Sequence, residues 1–380
     1  MRVCMLLHKS VAFDTRVRRE ASALTEAGHE VTVVHLPPPG TGASGELDDL
    51  PFGLRSATLP RGRRWLPHAP RLGAEAARLA QRGASLRPDA VHAHDAAMLL
   101  PGLLAARRSG AKLVYDSHEL ATGVPYRGRS WATVVTAVER LGAPRADGVI
   151  TVSDGIAAEL KRLYGLNRLP TVVRNVPDTP PPGARPVADL RERLGVGGVP
   201  LIVHQGAAVP GRGCETLVRA VASLDDVHLV LLGASNADAE RLRALAEEGG
   251  AGERLHALPT VPPGEVLSHT AQADVGVSLL EDSCDNHRMA LPNKLFEYLA
   301  AGLPVVVADL PEAGRLVRER GVGWCTDSGD PESVAAALRE ALARRGDTGT
   351  RRRVAAAGRE LRWELEKQRL LDLYGELERG

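Results

Sequence analysis

The sequence has 380 residues, 44% hydrophobic and 25% charged, with a formal net charge of +1. That length suggests about two domains, and the near-zero balance removes the global field that would draw the chain onto nucleic acid or a membrane. Aromatic residues make up only 3%, too few for the stacking platforms of single-stranded nucleic-acid binders, and no run approaches the ~18 apolar residues of a spanning helix.

The first element, RVCMLLH, reads as a buried strand. A loop over Lys9 to Asp14 leads into TRVRREASALTEAG, a helix with Val17, Ala21 and Leu24 on one face and charges opposite. Gly28 supplies its stop, and HEVTVVHL is the next strand. Residues 36–87 are irregular and rich in Pro, Gly and Arg. Strands follow at AVHAH, KLVYDSH, GVITVS and TVVRN, separated by helical stretches. This alternation implies βαβ units and a mostly parallel sheet.

VPDTPPPGARPV (Val176 to Val187) is the densest proline cluster and reads as an interdomain linker. The rhythm then restarts with strands at PLIVHQG, VHLVLLG, ADVGVSLL, LPVVVAD and VGWCT. Helices are expected from Cys214, Ala237, Pro263, Pro292 and Asp330. The last has a clear start, with Asp330 as cap, Pro331 at the first position and Glu332 beside it. RRVAAAGRELRWELEKQRLLDLYGEL is expected to be helical throughout and to pack back across both domains. The expected division is a first domain over 1–178 with the closing helix 361–380, a linker over 179–197, and a second domain over 198–360. Two doubly wound α/β domains place a cleft between their strand ends, where such sheets bind ligands.

GAAVPGRG (Gly206 to Gly213) has the opening spacing of a Walker A loop, but Arg212 and Gly213 stand where its Lys and Ser or Thr belong. Its place between a strand and a helix suits an anion, and Arg212 adds a fork for phosphate oxygens. A plain glycine turn with an exposed Arg explains the motif equally well. In ALPNKLFEYLAAGLPVVVAD, Pro292 opens a helix and Gly302 closes it. Leu295, Phe296, Leu299 and Ala300 form its apolar face, and Asn293, Lys294 and Glu297 share the other. A carboxylate there suits a ribose diol and Lys294 suits phosphate; the plainer alternative is a solvated Lys–Glu pair.

His118 ends a strand in VYDSHE, where a lone His is often structural. His92 and His94 point to the same sheet side, but lack a matched third metal ligand. No D-x-D triplet occurs, against a metal-held diphosphate, and no metal is expected. RGRRWLPHAPRLGAEAARLAQRGASLR (Arg61 to Arg87) surrounds Trp65, Leu66, Leu72 and Leu79 with Arg. It suits either peripheral contact with an anionic membrane surface or a solvated basic helix. Cys4, Cys214, Cys284 and Cys325 show no C-x-x-C spacing and read as reduced thiols. MRVCMLLH is too short for a signal peptide's apolar core, so a cytoplasmic protein is expected, with the inner face of the plasma membrane as the surface for any peripheral contact.

Arg212 in GRG, Glu297 in PNKLFEYLAAGLPVV, and DTRVRREASALTEAGHEVTVV together resemble the retaining, nucleotide-sugar-dependent glycosyltransferases of family 4. The likeness covers nearly the whole chain, including VRNVPD and the closing helix. It implies the GT-B fold, two Rossmann-like doubly wound domains facing a cleft. It also implies transfer of a sugar from an NDP-sugar, UDP ahead of GDP, to an acceptor hydroxyl with retention and without a metal. By position, Gly211, Arg212, Gly213 and Lys294 would hold the donor diphosphate. Glu297, Asn293 and Val261 would meet ribose and base, and His118 and Arg212 would lie at the reacting centre. Asp14, Thr15, Arg16, His94 and Asp95 would face a carbohydrate, lipid-linked or small-molecule acceptor.

Two departures stand out. Met289 occupies the position of the first Glu of the family's E-x7-E motif, after a longer loop in which Glu281, Asp285 or Asn286 could substitute. The second basic residue expected near Gly206 to Ala208 is missing. The rival readings are a nucleotide-sugar epimerase or hydrolase on the same fold, and a non-catalytic nucleotide-sugar-binding protein.

Overall fold

Runs in which nearly every side chain is apolar become short parallel strands buried on both faces, as crossover connections require. The computed structural model describes residues 1–36, 50–57, 68–124, 128–178 and 189–380. The chain forms two units, one of Met1–Arg174 with Glu366–Gly380 and one of Asn175–Leu365.

The first unit carries β1 (Arg2–Leu7), β2 (Glu30–His35), β3 (Gly53–Ser56), β4 (Ala90–His94), β5 (Lys112–Ser117), β6 (Gly148–Thr151) and β7 (Thr171–Val172). Its helices are α1 (Thr15–Glu26), α2 (His68–Ser85), α3 (Ala96–Ser109), α4 (Gly128–Gly142) and α5 (Asp154–Tyr164). The strands lie in the order β3-β2-β1-β4-β5-β6-β7, all parallel. The order reverses between β1 and β4, so the loops after these two strands mark the switch point where such sheets bind ligands.

The second unit opens with α6 (Leu190–Leu194), then β8 (Leu201–Gln205), α7 (Cys214–Ala222), β9 (His228–Leu232), α8 (Asn236–Glu248) and β10 (Leu255–Leu258). It continues through α9 (Val266–Thr270), β11 (Val275–Ser278), α10 (Asp285–Met289), α11 (Asn293–Ala300), β12 (Val305–Ala308) and α12 (Pro311–Arg320). β13 (Gly323–Thr326), α13 (Pro331–Ala343) and α14 (Thr348–Glu360) complete it. The order β10-β9-β8-β11-β12-β13 is again parallel, with its switch point between β8 and β11. The Asp330 cap forms as expected, its carboxylate accepting from the Glu332 and Ser333 amides at 3.1 Å each.

Several expectations are corrected. The closing stretch breaks at Leu361–Arg362 into α14 and α15 (Trp363–Arg379), and the chain from Glu366 onward belongs to the first unit. There Leu370 and Tyr374 are fully buried, and the Tyr374 hydroxyl lies 3.0 Å from His92 Nδ1. Of the linker expected over 179–197, residues 179–188 lie outside the described residues. The rest includes α6, capped by Asp189 and tied into the second unit by Arg191 Nη2 on Asp274 at 2.7 Å. Pro263 begins a single 3-10 turn before the short α9. In the basic stretch, Trp65 and Leu66 lie outside the described residues, as does the side chain of Leu72. Leu79 is fully buried in the core, so it is not available to a membrane. Among the described residues, no helix is long and apolar enough to cross a membrane.

Candidate active site

In the first unit, β1 delivers His8 and Lys9 to the switch point, and β4 delivers His94 and Asp95. Asp14 caps α1, accepting from the Val17 amide at 3.1 Å, and Lys9 Nζ lies 3.0 Å from its other oxygen. Burial works against the Asp14 charge, but His118 and Lys9 outweigh it and hold the carboxyl below its usual range. Thr15, the first residue of α1, is half-buried.

Arg16 departs from its expected place facing the acceptor. It is 3% exposed, with Nε and Nη2 on the two Asp116 oxygens at 2.8 and 2.9 Å and Nη1 on the Val173 carbonyl at 2.7 Å. Its Nη2 also lies 3.0 Å from Glu20 Oε1. The i,i+4 Arg16–Glu20 pair is a buried core feature, and Arg16 acts inward by fixing Asp116. Asp116 in turn receives His118 Nε2 at 3.0 Å and His94 Nδ1 at 3.3 Å. His94, expected on the acceptor side, is fully buried behind His118.

His118 sits between two carboxylates, with Asp95 Oδ1 3.5 Å from its Nδ1. Burial pulls this imidazole toward neutrality, but Asp95 and Asp116 prevail and lift it to about 9. Asp95 has φ 67 and ψ 160, a conformation that costs a non-glycine residue ~1–3 kcal/mol and concentrates at functional sites. His8, 3.9 Å away on its other oxygen, was not singled out from the sequence. Its place immediately after a switch-point strand was the available signal.

Beneath these groups, Glu20, His92, His94 and Asp116 present ligand atoms within 4.8 Å of one another, all buried. The Arg16 guanidinium already occupies both Asp116 oxygens and one of Glu20, so two of these four groups are paired with a cation of the chain's own. Burial pushes Glu20 up to about 7 and, with His94 beside it, holds His92 well below its usual range.

In the second unit, the glycine loop follows β8. Gly206, Gly211 and Gly213 have φ of +89, +87 and +66. A Cβ on Gly213 would lie 2.3 Å from the Leu279 carbonyl oxygen, so only glycine lets the loop pass β11's end. α7 begins at Cys214 with no side-chain cap, leaving its first amides for an incoming anion. The half-buried Arg212 guanidinium makes no ion pair or hydrogen bond among the described residues.

Lys294 Nζ lies 3.0 Å from His204 Nε2, which also receives the Cys214 thiol at 3.4 Å. Burial, aided by Arg212, pushes Lys294 down to about 8. Burial and Lys294 likewise keep His204 neutral. Glu297, one turn on, accepts from Gln205 Nε2 at 2.6 Å, and Gln205 Oε1 accepts from Thr270 at 3.1 Å. Asn293 is exposed at the start of α11, and Val261 is half-buried in the loop after β10. The neighbouring Thr260 borders Gly233, which packs against Gly206.

Met289 ends α10 without a carboxylate. Of its suggested substitutes, Asp285 is exposed and lies 3.8 Å from Arg288, while the Glu281 amide donates to the Gly211 carbonyl at 3.2 Å. Asn286 is half-buried in α10. His287, 8% exposed, lies with its ring against Gly211, and no motif in the sequence marks it.

Residues 14–179 match the family model described as Glycosyltransferase Family 4, and residues 188–361 match Glycosyl transferases group 1. A GDP-mannose-dependent alpha-(1-6)-phosphatidylinositol monomannoside mannosyltransferase of Mycobacterium tuberculosis is 30% identical, over 70% of each chain. The chain belongs to glycosyltransferase family 4. Among other family relatives, the like-named enzyme of Mycolicibacterium smegmatis is 28% identical over 65% of each chain. A D-inositol 3-phosphate glycosyltransferase of Acidothermus cellulolyticus is 28% identical over 75% of this chain and 66% of its own. The chain thus spans just under two thirds of the length of these last two relatives. The family's GT-B fold is seen in Anabaena Alr3699/HepE in complex with UDP and glucose, with a TM-score of 0.80 at 18% identity over 99% of this chain and 100% of that one. Sucrose-phosphate synthase from Thermosynechococcus elongatus gives 0.76 at 20% identity over 99% of both chains. For this family 4 glycosyltransferase, the second family model ends at residue 361, five residues before the chain returns to the first unit at Glu366.

Proposed function

We propose that this glycosyltransferase moves a hexosyl group from a UDP-sugar to an acceptor hydroxyl, with retention and without a metal ion. The observation that carries the reading is the unpaired Arg212 guanidinium beside Lys294 at the uncapped start of α7. This is a cationic, amide-rich pocket of the kind that stabilises a departing diphosphate. Arg212 and Lys294 supply the charge that a divalent ion supplies elsewhere, and Glu297 grips the ribose. On the acceptor side, Asp14, Asp95 and His118 receive a carbohydrate, lipid-linked or small-molecule hydroxyl, with Arg16 and His94 positioning Asp116 and His118 from behind. The Cys214 thiol beside the glycine loop is buried against His204 and pushed up to about 11, which makes it a poor nucleophile and favours a front-side path. In it the C1–oxygen bond to the diphosphate breaks, the acceptor oxygen bonds to C1 on the same face, and the acceptor proton passes to the leaving diphosphate oxygen.

Removing one such stabilising donor lowers turnover about 10²–10³-fold, so Arg212→Ala should cut transfer by that order while the melting temperature stays near wild type. Near-normal turnover sinks the role given to Arg212. An inverted anomer in the product NMR spectrum sinks retention, and loss of transfer in excess chelator sinks metal independence. A second donor reading, GDP-mannose, is favoured by the dependence named for the mycobacterial relatives. A thermal-shift screen of UDP- and GDP-sugars decides between them.

A further inference from the structure

The loop between β11 and α10 folds onto the glycine loop through a side chain with no role so far. The Glu281 amide donates to the Gly211 carbonyl at 3.2 Å, and a Cβ built on Gly211 would meet His287 Cε1 at 3.6 Å. The imidazole is 8% exposed and anchored at several points. Its backbone amide is capped by Cys284 Sγ at 3.4 Å, and its Nδ1 lies 2.8 Å from the Glu281 carbonyl oxygen and 3.1 Å from Ser283 Oγ. A carbonyl oxygen has no proton to give, so the Nδ1 partner fixes the proton there and leaves Nε2 as an acceptor. Among the described residues, nothing bonds to Nε2.

We propose that His287 is a specificity-determining residue of the donor site, accepting through Nε2 a hydrogen bond from a hydroxyl of the transferred sugar. The inference rests on the donor reading above. The chemistry selects which part of the donor His287 meets. Diphosphate oxygens at neutral pH are acceptors only and have nothing to offer a lone pair; Arg212, Lys294 and the α7 amides donate to them. A sugar hydroxyl can donate. The glycine loop holds His287 beside the diphosphate, within reach of the group that the diphosphate carries. An acceptor from His287 would then serve the sugar in a chain that carries Met289, two residues on, in place of a carboxylate.

The test compares two ligands by calorimetry on the full chain. One is the nucleotide sugar that gives the largest thermal shift from a panel of UDP- and GDP-linked hexoses; the other is its free nucleoside diphosphate. His287→Ala should weaken the nucleotide sugar about tenfold, the equivalent of one ordinary hydrogen bond, and leave the free diphosphate within about twofold. His287→Gln, whose amide oxygen still accepts, should recover part of the loss. Equal weakening of both ligands would show that the ring serves the phosphates or only the loop, and overturns the proposal. No weakening of either overturns it as well. A wild-type chain that binds neither ligand overturns the donor reading and this inference together, a result distinct from a wild type that binds both with an unchanged ratio in the variant.

Discussion

Lys294 carries its charge under strain from its surroundings. Burial pushes it down to about 8, against an ordinary lysine near 10.4. The sign of the pH dependence follows. Below about pH 8 the free protein already holds the proton and meets a diphosphate as a cation. Above it, binding must first take up a proton, so donor affinity should fall by as much as about tenfold per pH unit. Donor Kd followed across that range should show the fall in the wild type and not in Lys294→Met. The same depression makes the unfolded chain the better proton binder between about 8 and ~10.4, so Lys294 contributes stability that rises with pH in that window. Helix spacing made Lys294 and Glu297 legible as neighbours. The family resemblance set Arg16 facing the acceptor, and nothing local corrects that, because an i,i+4 Arg–Glu pair looks the same whether solvated or buried. What buries this one is Asp116, one hundred residues away, and nothing local records that partner.

Loops and helix starts decide what the glycine-rich stretch can do. Alone it left phosphate site and plain turn undecided. The undecidable part was space, because sequence does not show that Leu279 presses against Gly213. Gly213→Ala meets two obstacles, a left-handed backbone costing ~1–2 kcal/mol and the carbonyl 2.3 Å from the new methyl. It should lower the melting temperature and abolish nucleotide binding. Gly28→Ala is the matched control: φ is positive there too, at +89, but nothing lies within 4 Å. It should cost stability alone, with nucleotide affinity unchanged in the same titration. The central strands and capped helices were legible because their apolar runs and Asp or Pro–Gly punctuation agree. The edge strands β3 and β10 were not, since they are four residues each and largely half-exposed. Their pairing comes from β2 and β9 rather than from their own pattern.

At the scale of the whole molecule, the restarting βα rhythm and the proline cluster gave away two doubly wound sheets. The return of the chain to the first was expected from the closing helix. The break at Leu361–Arg362 was not, because helical composition runs unbroken through it. The returning segment is part of the first unit's core. Tyr374→Ala should cost about 3–5 kcal/mol and strip His92 of its Nδ1 partner. Calorimetry should record a lower melting temperature, while the second unit keeps its nucleotide affinity. The same topology also sets an order of assembly. The second unit is complete once Leu365 has been made, whereas the first, begun at Met1, still lacks Leu370 and Tyr374. On the ribosome, the half of the protein translated first is therefore the last to close, with its β1–β4 switch point waiting on the final helix.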